Sequence, residues 1–116
     1  MIRGPILVVE KDPLNAVLIV GQLEELGYAV EGPAQTLEDA IWLATNAPIA
    51  AALLDLSLGD GIQTASVANI LAERTIPFVF LTSSVAAADC RFCEVPVLSK
   101  PVTLARLEQA VFEMLR

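Results

Sequence analysis

The chain has 116 residues, of which 55% are apolar and 5% aromatic, so we expect one domain spanning residues 1–116 with an aliphatic core. Its net charge of −7 argues against nucleic acid as a partner, and the lack of histidine excludes histidine-dependent triads and histidine-ligated metal sites. No apolar run approaches the ~18 residues that span a bilayer, and we identify no export signal, so we expect a cytoplasmic protein without a membrane partner.

Five short runs are apolar on both faces and predict the buried strands of a parallel sheet. They cover residues 6–9, 28–30, 49–54, 78–81 and 96–98. Helical patterns lie between and after them, at residues 13–26, 36–46, 62–74 and 104–116, while residues 83–94 are expected to hold an abbreviated fourth helix. Because strands alternate with helices, we expect an α/β fold with a doubly wound sheet.

The first two helices carry recognisable start signals. Asp12 is placed to cap the first helix, Pro13 takes its first position, and Gly27 follows its end. Thr36 begins the second helix with Asp39 in the acidic role of a capping box. Both helix starts are therefore predicted to within a residue.

The first helix is apolar nearly all round. At ~100° per residue, one face carries Ala16, Ile19, Leu23 and Leu26, and this face is expected to fill the core. A second face carries Leu14, Val17 and Leu18. Since the core face is already filled, the second face is interpreted as a docking surface for a partner or for a second copy of the chain.

Polar side chains follow four of the five predicted strands. Glu10 and Lys11 come after the first strand, Asp55 after the third, Thr82 after the fourth and Lys100 after the fifth. In open sheets of this type, ligands bind at the carboxyl ends of the strands. The sequence therefore predicts that these side chains converge on one edge of the sheet.

These strand ends resemble the receiver domain of bacterial two-component response regulators, over nearly the whole chain. The runs that carry the resemblance are ALLDLSLGDG with Asp55, FVFLTSS with Thr82, and VLSKP with Lys100 and Pro101. The resemblance implies that Asp55 accepts a phosphoryl group, that Thr82 senses it, and that Lys100 binds its oxygens. A histidine kinase or histidine phosphotransferase would be the donor, and the protein would be a signalling module rather than an enzyme.

The resemblance also has structural implications. It implies a flavodoxin-like three-layer sandwich with strand order 2-1-3-4-5, and a cis bond between Lys100 and Pro101. With no other domain in the sequence, a stand-alone receiver is expected. Val97 departs from the family, which usually has a switching tyrosine or phenylalanine there.

The family's magnesium site is altered in this chain. By resemblance, Mg²⁺ would be held by Glu10, Asp55 and the backbone of Ser57, but Lys11 occupies the position of a second acid. An ammonium cannot coordinate Mg²⁺, so we expect metal binding to be weak or absent and phosphotransfer to be impaired. The Lys11 ammonium is expected either to take the metal's place by bridging Glu10 and Asp55 or to extend into solvent.

Two other functions stay open at this point. A metal-independent pseudo-receiver, locked by Lys11, would act only as a binding module. Cys90 and Cys93 form a C-x-x-C pair, which is typical of thiol redox switches, although the favoured interpretation is that both are small buried side chains.

Overall fold

The computed structural model describes residues 3–56, 64–83 and 95–116. Within these ranges the chain forms five strands and four helices. In chain order they are β1 (Arg3–Val9), α1 (Pro13–Glu25), β2 (Tyr28–Ala34), α2 (Leu37–Asn46), β3 (Ala51–Asp55), α3 (Ala65–Glu73), β4 (Phe78–Thr82), β5 (Val97–Ser99) and α4 (Leu104–Leu115). The abbreviated helix predicted after Ser83 lies outside the described residues.

The five strands form one parallel sheet in the order β2-β1-β3-β4-β5, which confirms the predicted fold class and topology. Side chains of β1 alternate between the two faces of this sheet. Leu7 and Val9 pack into the core cluster that includes residues of α2 and α3, whereas Ile6 and Val8 pack into the cluster of α1 and α4. Helices therefore cover both faces, and β3 is the central strand of the sheet, with β1 and β4 on either side of it.

The predicted helix caps are confirmed. Asp12 Oδ1 accepts a hydrogen bond of 3.0 Å from the Leu14 amide at the start of α1. Thr36 Oγ1 accepts one of 3.2 Å from the Asp39 amide at the start of α2. Each cap satisfies a backbone amide that has no partner within its own helix.

The second strand runs four residues beyond the predicted end, through Gly32 and Pro33 to Ala34. A Gly-Pro pair usually ends a strand, but β2 is an edge strand, where proline is tolerated because one side of the backbone needs no ladder partner. At Gly32 the backbone has φ of +100°, and a Cβ there would lie 2.8 Å from the carbonyl oxygen of Val8. Glycine thus lets β2 stay against β1.

The two faces of α1 follow the prediction. Ala16, Ile19 and Leu23 are buried, while Leu14, Val17 and Leu18 are 76%, 69% and 59% exposed. Among the described residues, no helix is long and apolar enough to cross a membrane.

Candidate functional site

The four polar strand-end residues do converge on one edge of the sheet. Glu10 follows β1, Asp55 ends β3, Thr82 ends β4 and Lys100 follows β5. Glu10, Asp55 and Thr82 are at most 5% exposed, and the side chain of Lys100 is 10% exposed. Acidic and basic side chains are rarely buried to this extent unless they are paired.

The Lys100 ammonium lies between the two buried carboxylates. Its Nζ donates a hydrogen bond of 3.0 Å to Glu10 Oε2 and lies 2.8 Å from Glu10 Oε1. The same nitrogen is 3.1 Å from Asp55 Oδ2. With both carboxylates ionised, this cluster carries one net negative charge.

Of the two positions expected for the Lys11 ammonium, the bridge between Glu10 and Asp55 is wrong, because Lys100 takes that position. The Glu10 side chain is fully buried, whereas that of the next residue, Lys11, is exposed. Lys11 approaches Asp55 only through its backbone amide, which lies 3.5 Å from Asp55 Oδ2.

The protonation of Glu10 is strongly shifted by its surroundings. Burial, followed by the hydrogen bond and the negative charge of Asp55, raises the pKa of Glu10 from 4.5 to about 7, although Lys100 opposes the shift. Burial alone would lower the pKa of Lys100, but hydrogen bonds to Glu10 and Asp55 outweigh it and raise that pKa. Lys100 therefore stays charged, while Glu10 titrates near neutral pH.

Thr82 and Lys100 are tied together through the backbone. The Lys100 amide donates a hydrogen bond of 2.8 Å to the carbonyl oxygen of Thr82. Leu81 pairs with Asp55 across β3 and β4, so Thr82 lies one residue beyond Asp55 on the neighbouring strand. The Lys100–Pro101 peptide is cis, as the resemblance implied.

Thr64 belongs to the site and was missed by the sequence reasoning. It precedes α3, is 1% exposed, and its hydroxyl donates a hydrogen bond of 2.7 Å to the backbone carbonyl oxygen of Asp55. This bond holds the end of β3 against the start of α3. In the sequence, Thr64 falls near the start of the helical pattern predicted at residues 62–74, where a threonine is more often a helix cap.

The described side chains do not form a set of ligands suited to Mg²⁺. Within residues 3–56, 64–83 and 95–116, no three Asp, Glu, Cys or His side chains cluster as metal ligands. Glu10 Oε1 has no hydrogen-bond partner within the described ranges, but the Lys100 ammonium already lies against it. Asp12 is used as the cap of α1. Ser57, the predicted backbone ligand, lies outside the described residues, and weak Mg²⁺ binding stays a prediction.

A cavity of about 300 Å³ opens over this edge of the sheet. Its lining residues are Lys11, Asp12, Asn15, Ser83, Lys100 and Pro101. Two of these, Lys11 and Lys100, also contact Asp55. The cavity therefore gives access to the buried cluster between its two lysines. Cys90 and Cys93, the proposed redox pair, lie outside the described residues.

Comparisons with known proteins agree with this architecture. No family model and no curated protein matches the chain. Among solved structures, SdrG from Sphingomonas melonis Fr1 is 38% identical, covers 97% of this chain and 96% of its own, and has a TM-score of 0.86. A BeF3-activated conformation of SdrG, from Pseudomonas melonis Fr1, gives the same identity and coverage with a TM-score of 0.81.

Two further solved structures carry the family in their names. The signal receiver domain of a modulated diguanylate cyclase from Desulfovibrio desulfuricans G20 is 29% identical, covers 97% of this chain and 93% of its own, and has a TM-score of 0.80. The response regulator PhyR from Brucella abortus is 26% identical, with 98% of this chain and 48% of that one aligned and a TM-score of 0.83. The chain thus belongs to the response regulator receiver domains of two-component signalling.

Proposed function

We propose that the protein is a two-component receiver in which Asp55 accepts a phosphoryl group from a histidine kinase or histidine phosphotransferase. One observation carries the proposal: the buried carboxylate of Asp55 ends the central strand β3 with the Lys100 ammonium 3.1 Å from its Oδ2. Phosphoryl transfer depends mainly on positioning and on neutralising charge on the transferred oxygens. A carboxylate held beside a fixed ammonium supplies both.

Four residues of the site have a role in this proposal. Asp55 is the acceptor, and Thr64 positions it through the 2.7 Å hydrogen bond to its backbone carbonyl. Lys100 leaves its contacts with the carboxylates to bind a phosphoryl oxygen. Thr82, one residue further along the neighbouring strand, senses the modification. The protein itself turns over no substrate, so it acts as a cytoplasmic signalling module and not as an enzyme.

The similarity to SdrG supports the proposal. SdrG has a BeF3-activated conformation, and beryllofluoride mimics a phosphoryl group because it is a tetrahedral anion when bound to a carboxylate. Since this chain is 38% identical to SdrG over nearly its full length, the same ligand is a suitable probe here.

We place the partner contact on the outer face of α1, formed by Leu14, Val17 and Leu18. These side chains are more than half exposed, and the helix begins directly after the site residues Glu10 and Lys11. Burying large aliphatic side chains contributes roughly 1.5–3 kcal/mol each before the cost of association. A phosphodonor that binds here would bring its histidine to the cavity, and a homodimer through the same face is the alternative.

Leu18→Glu tests the surface and Glu24→Lys is its control. Leu18→Glu should abolish binding of a cognate histidine phosphotransferase, or dimer formation seen by size-exclusion chromatography, without unfolding the protein. Glu24 is also exposed on α1 but lies six residues, nearly two turns, beyond Leu18, so Glu24→Lys should retain the contact. Unchanged association in Leu18→Glu would place the contact elsewhere.

A pseudo-receiver that only binds partners is the second candidate, and the lysine at position 11 favours it. Lys11 stands where the family has an acid and lines the cavity over Asp55. In this alternative Asp55 is never modified, and the buried ion pair with Lys100 is permanent.

Phosphorylation by a small donor separates the two functions. The protein is incubated with phosphoramidate, with and without Mg²⁺, and its intact mass is measured. The receiver predicts a gain of one phosphoryl group in the wild type and none in Asp55→Asn. If the wild type gains nothing under either condition, or if Asp55→Asn gains as much, the pseudo-receiver is favoured.

A further inference from the structure

The chain contains only two lysines, and both lie at the same cavity. Its seven basic residues are Arg3, Lys11, Arg74, Arg91, Lys100, Arg106 and Arg116. Lys11 and Lys100 line the cavity of about 300 Å³ above the buried carboxylates. At ~30 Å³ per water molecule, this space equals roughly ten waters and is large enough for a phosphoryl group.

The Lys100 ammonium and the Lys11 backbone amide approach the same oxygen of the acceptor. Lys100 Nζ lies 3.1 Å from Asp55 Oδ2, and the backbone amide of Lys11 lies 3.5 Å from it. The two residues come from opposite sides, since Lys11 follows β1 and Lys100 follows β5, with β3 between them. A group attached to Asp55 would therefore extend between two lysines.

The charge at this entrance suits an anion better than a second cation. Its lining holds two lysines and one acid, Asp12, whose oxygens accept hydrogen bonds from Leu14 N and Asn15 Nδ2 at the start of α1. Behind the lining, the Lys100 ammonium is already in contact with Glu10 and Asp55. A divalent cation would have to displace that ammonium and stay near Lys11, whereas a phosphoryl group would meet donors.

We propose that Lys11 supplies the positive charge that a divalent cation supplies elsewhere, so that Asp55 accepts its phosphoryl group without a metal. This inference rests on the proposed function. Lys11 lies in the cavity wall, and its positive charge acts on the incoming phosphoryl group. It does not bridge the two carboxylates. Lys100 and Lys11 together neutralise the oxygens of the transferred group.

The transfer balances without any further reactant. With phosphoramidate as donor, an oxygen of the ionised Asp55 carboxylate forms the new P–O bond while the P–N bond breaks. The nitrogen leaves as ammonia and keeps the bonding electron pair and the protons it already carried. The product is an acyl phosphate on Asp55, and the total charge is unchanged.

The test follows phosphoryl uptake from phosphoramidate by intact mass, with Mg²⁺ or with a chelator. Wild-type uptake should be equal in the two buffers. Lys11→Ala should be slowed by about 10²-fold in chelator, the usual effect of removing one group that stabilises transition-state charge. Lys11→Asp restores an acid and should take up the group only with Mg²⁺. Beryllofluoride, followed by fluorine NMR, should bind the wild type without Mg²⁺ and Lys11→Asp only with it.

Arg116→Asp is the control matched to Lys11→Asp. It makes the same change of charge, but at an exposed residue that follows the end of α4. It should behave as the wild type in both buffers. Wild-type uptake that Mg²⁺ accelerates tenfold or more would overturn the inference and leave the proposed function intact. So would uptake by Lys11→Ala at the wild-type rate in chelator. If neither the wild type nor Lys11→Asp takes up a phosphoryl group in any buffer, the proposed function fails as well.

Discussion

The carboxyl edge of the sheet and the outer face of α1 depart from the ordinary burial pattern in opposite ways. The edge buries Glu10, Asp55 and most of Lys100, while α1 exposes Leu14 and Leu18 a few residues later. The buried charges are stabilised within the fold because each has an oppositely charged neighbour. The exposed leucines have no such role in folding. Substitutions of the buried charged residues at the sheet edge should therefore alter stability. Substitutions of the exposed leucines on α1 should alter only association.

Lys100→Met should have the largest effect on stability. The change leaves two buried carboxylates without their ammonium, and breaking a buried ion pair in this way costs about 3–5 kcal/mol. The free energy of unfolding, measured by urea denaturation at pH 8, should fall by that amount. At pH 5 the loss should be smaller, because a proton on Glu10 relieves the repulsion. Lys11→Met changes an exposed residue, so it should alter the free energy of unfolding by no more than about 0.5 kcal/mol at both pH values.

A pair of leucine truncations sharpens the contrast between the two faces of α1. Leu23 is fully buried, so Leu23→Ala should lower the free energy of unfolding by about 2–5 kcal/mol. Leu18 is 59% exposed, so Leu18→Ala should change it by no more than about 0.5 kcal/mol. Equal losses in the two variants would show that Leu18 is a core residue and would remove the case for a docking face.

The raised pKa of Glu10 gives stability a definite pH dependence. The folded state holds this proton more tightly than the unfolded state, so the contribution of Glu10 is fully present below pH 4.5 and is lost as the pH rises to about 7. A shift from 4.5 to about 7 corresponds to roughly 3 kcal/mol. Lys100 does not titrate in this window, because its pKa is raised from an ordinary value of 10.5.

Glu10→Gln removes that proton equilibrium. The free energy of unfolding of the wild type, relative to Glu10→Gln, should decrease between pH 4.5 and pH 8, as urea denaturation at a series of pH values would show. A difference that stays constant over the series would mean that Glu10 is ionised in the folded protein with an ordinary pKa.

Thr64→Val should have a smaller effect on stability than Lys100→Met. It removes the hydroxyl that donates to the Asp55 carbonyl while keeping the shape of the side chain. Leaving that buried acceptor without its donor costs about 1–3 kcal/mol. Thermal unfolding measures the loss, and Thr45→Val is the control, since the Thr45 hydroxyl bonds an exposed helix carbonyl. Equal effects would show that Thr64 has no special role at the site.

Much of the fold could be predicted because periodicity and capping are local properties of the sequence. The runs around Val8 and Leu53 are apolar on both faces, which predicts buried strands. Asp12 and Thr36 precede helical patterns, which predicts where the first two helices begin. The extension of β2 through Gly32 and Pro33 could not be predicted this way. It depends on β2 being an edge strand, which is a property of the whole sheet.

The strand-end residues of the site were predicted, but Thr64 and the geometry of the ion pairs were not. The strand-end rule brought Glu10, Asp55 and Lys100 to one edge, because carboxyl ends of parallel strands meet there. The wrong lysine was chosen as the bridge, since Lys11 is adjacent to Glu10 in sequence whereas Lys100 is 90 residues away. Sequence proximity does not say which way a side chain points: Glu10 is buried at the site, whereas the adjacent Lys11 is exposed.

The most direct test of the central claim is to map the phosphorylated residue after incubation with phosphoramidate. Borohydride reduces an aspartyl phosphate to homoserine, and mass spectrometry of the peptides locates the change. If Asp55 is the acceptor, homoserine should appear at position 55 and at no other aspartate position. Reduction at another aspartate, or none in a protein that has gained a phosphoryl group, would contradict the assignment of Asp55 as the acceptor.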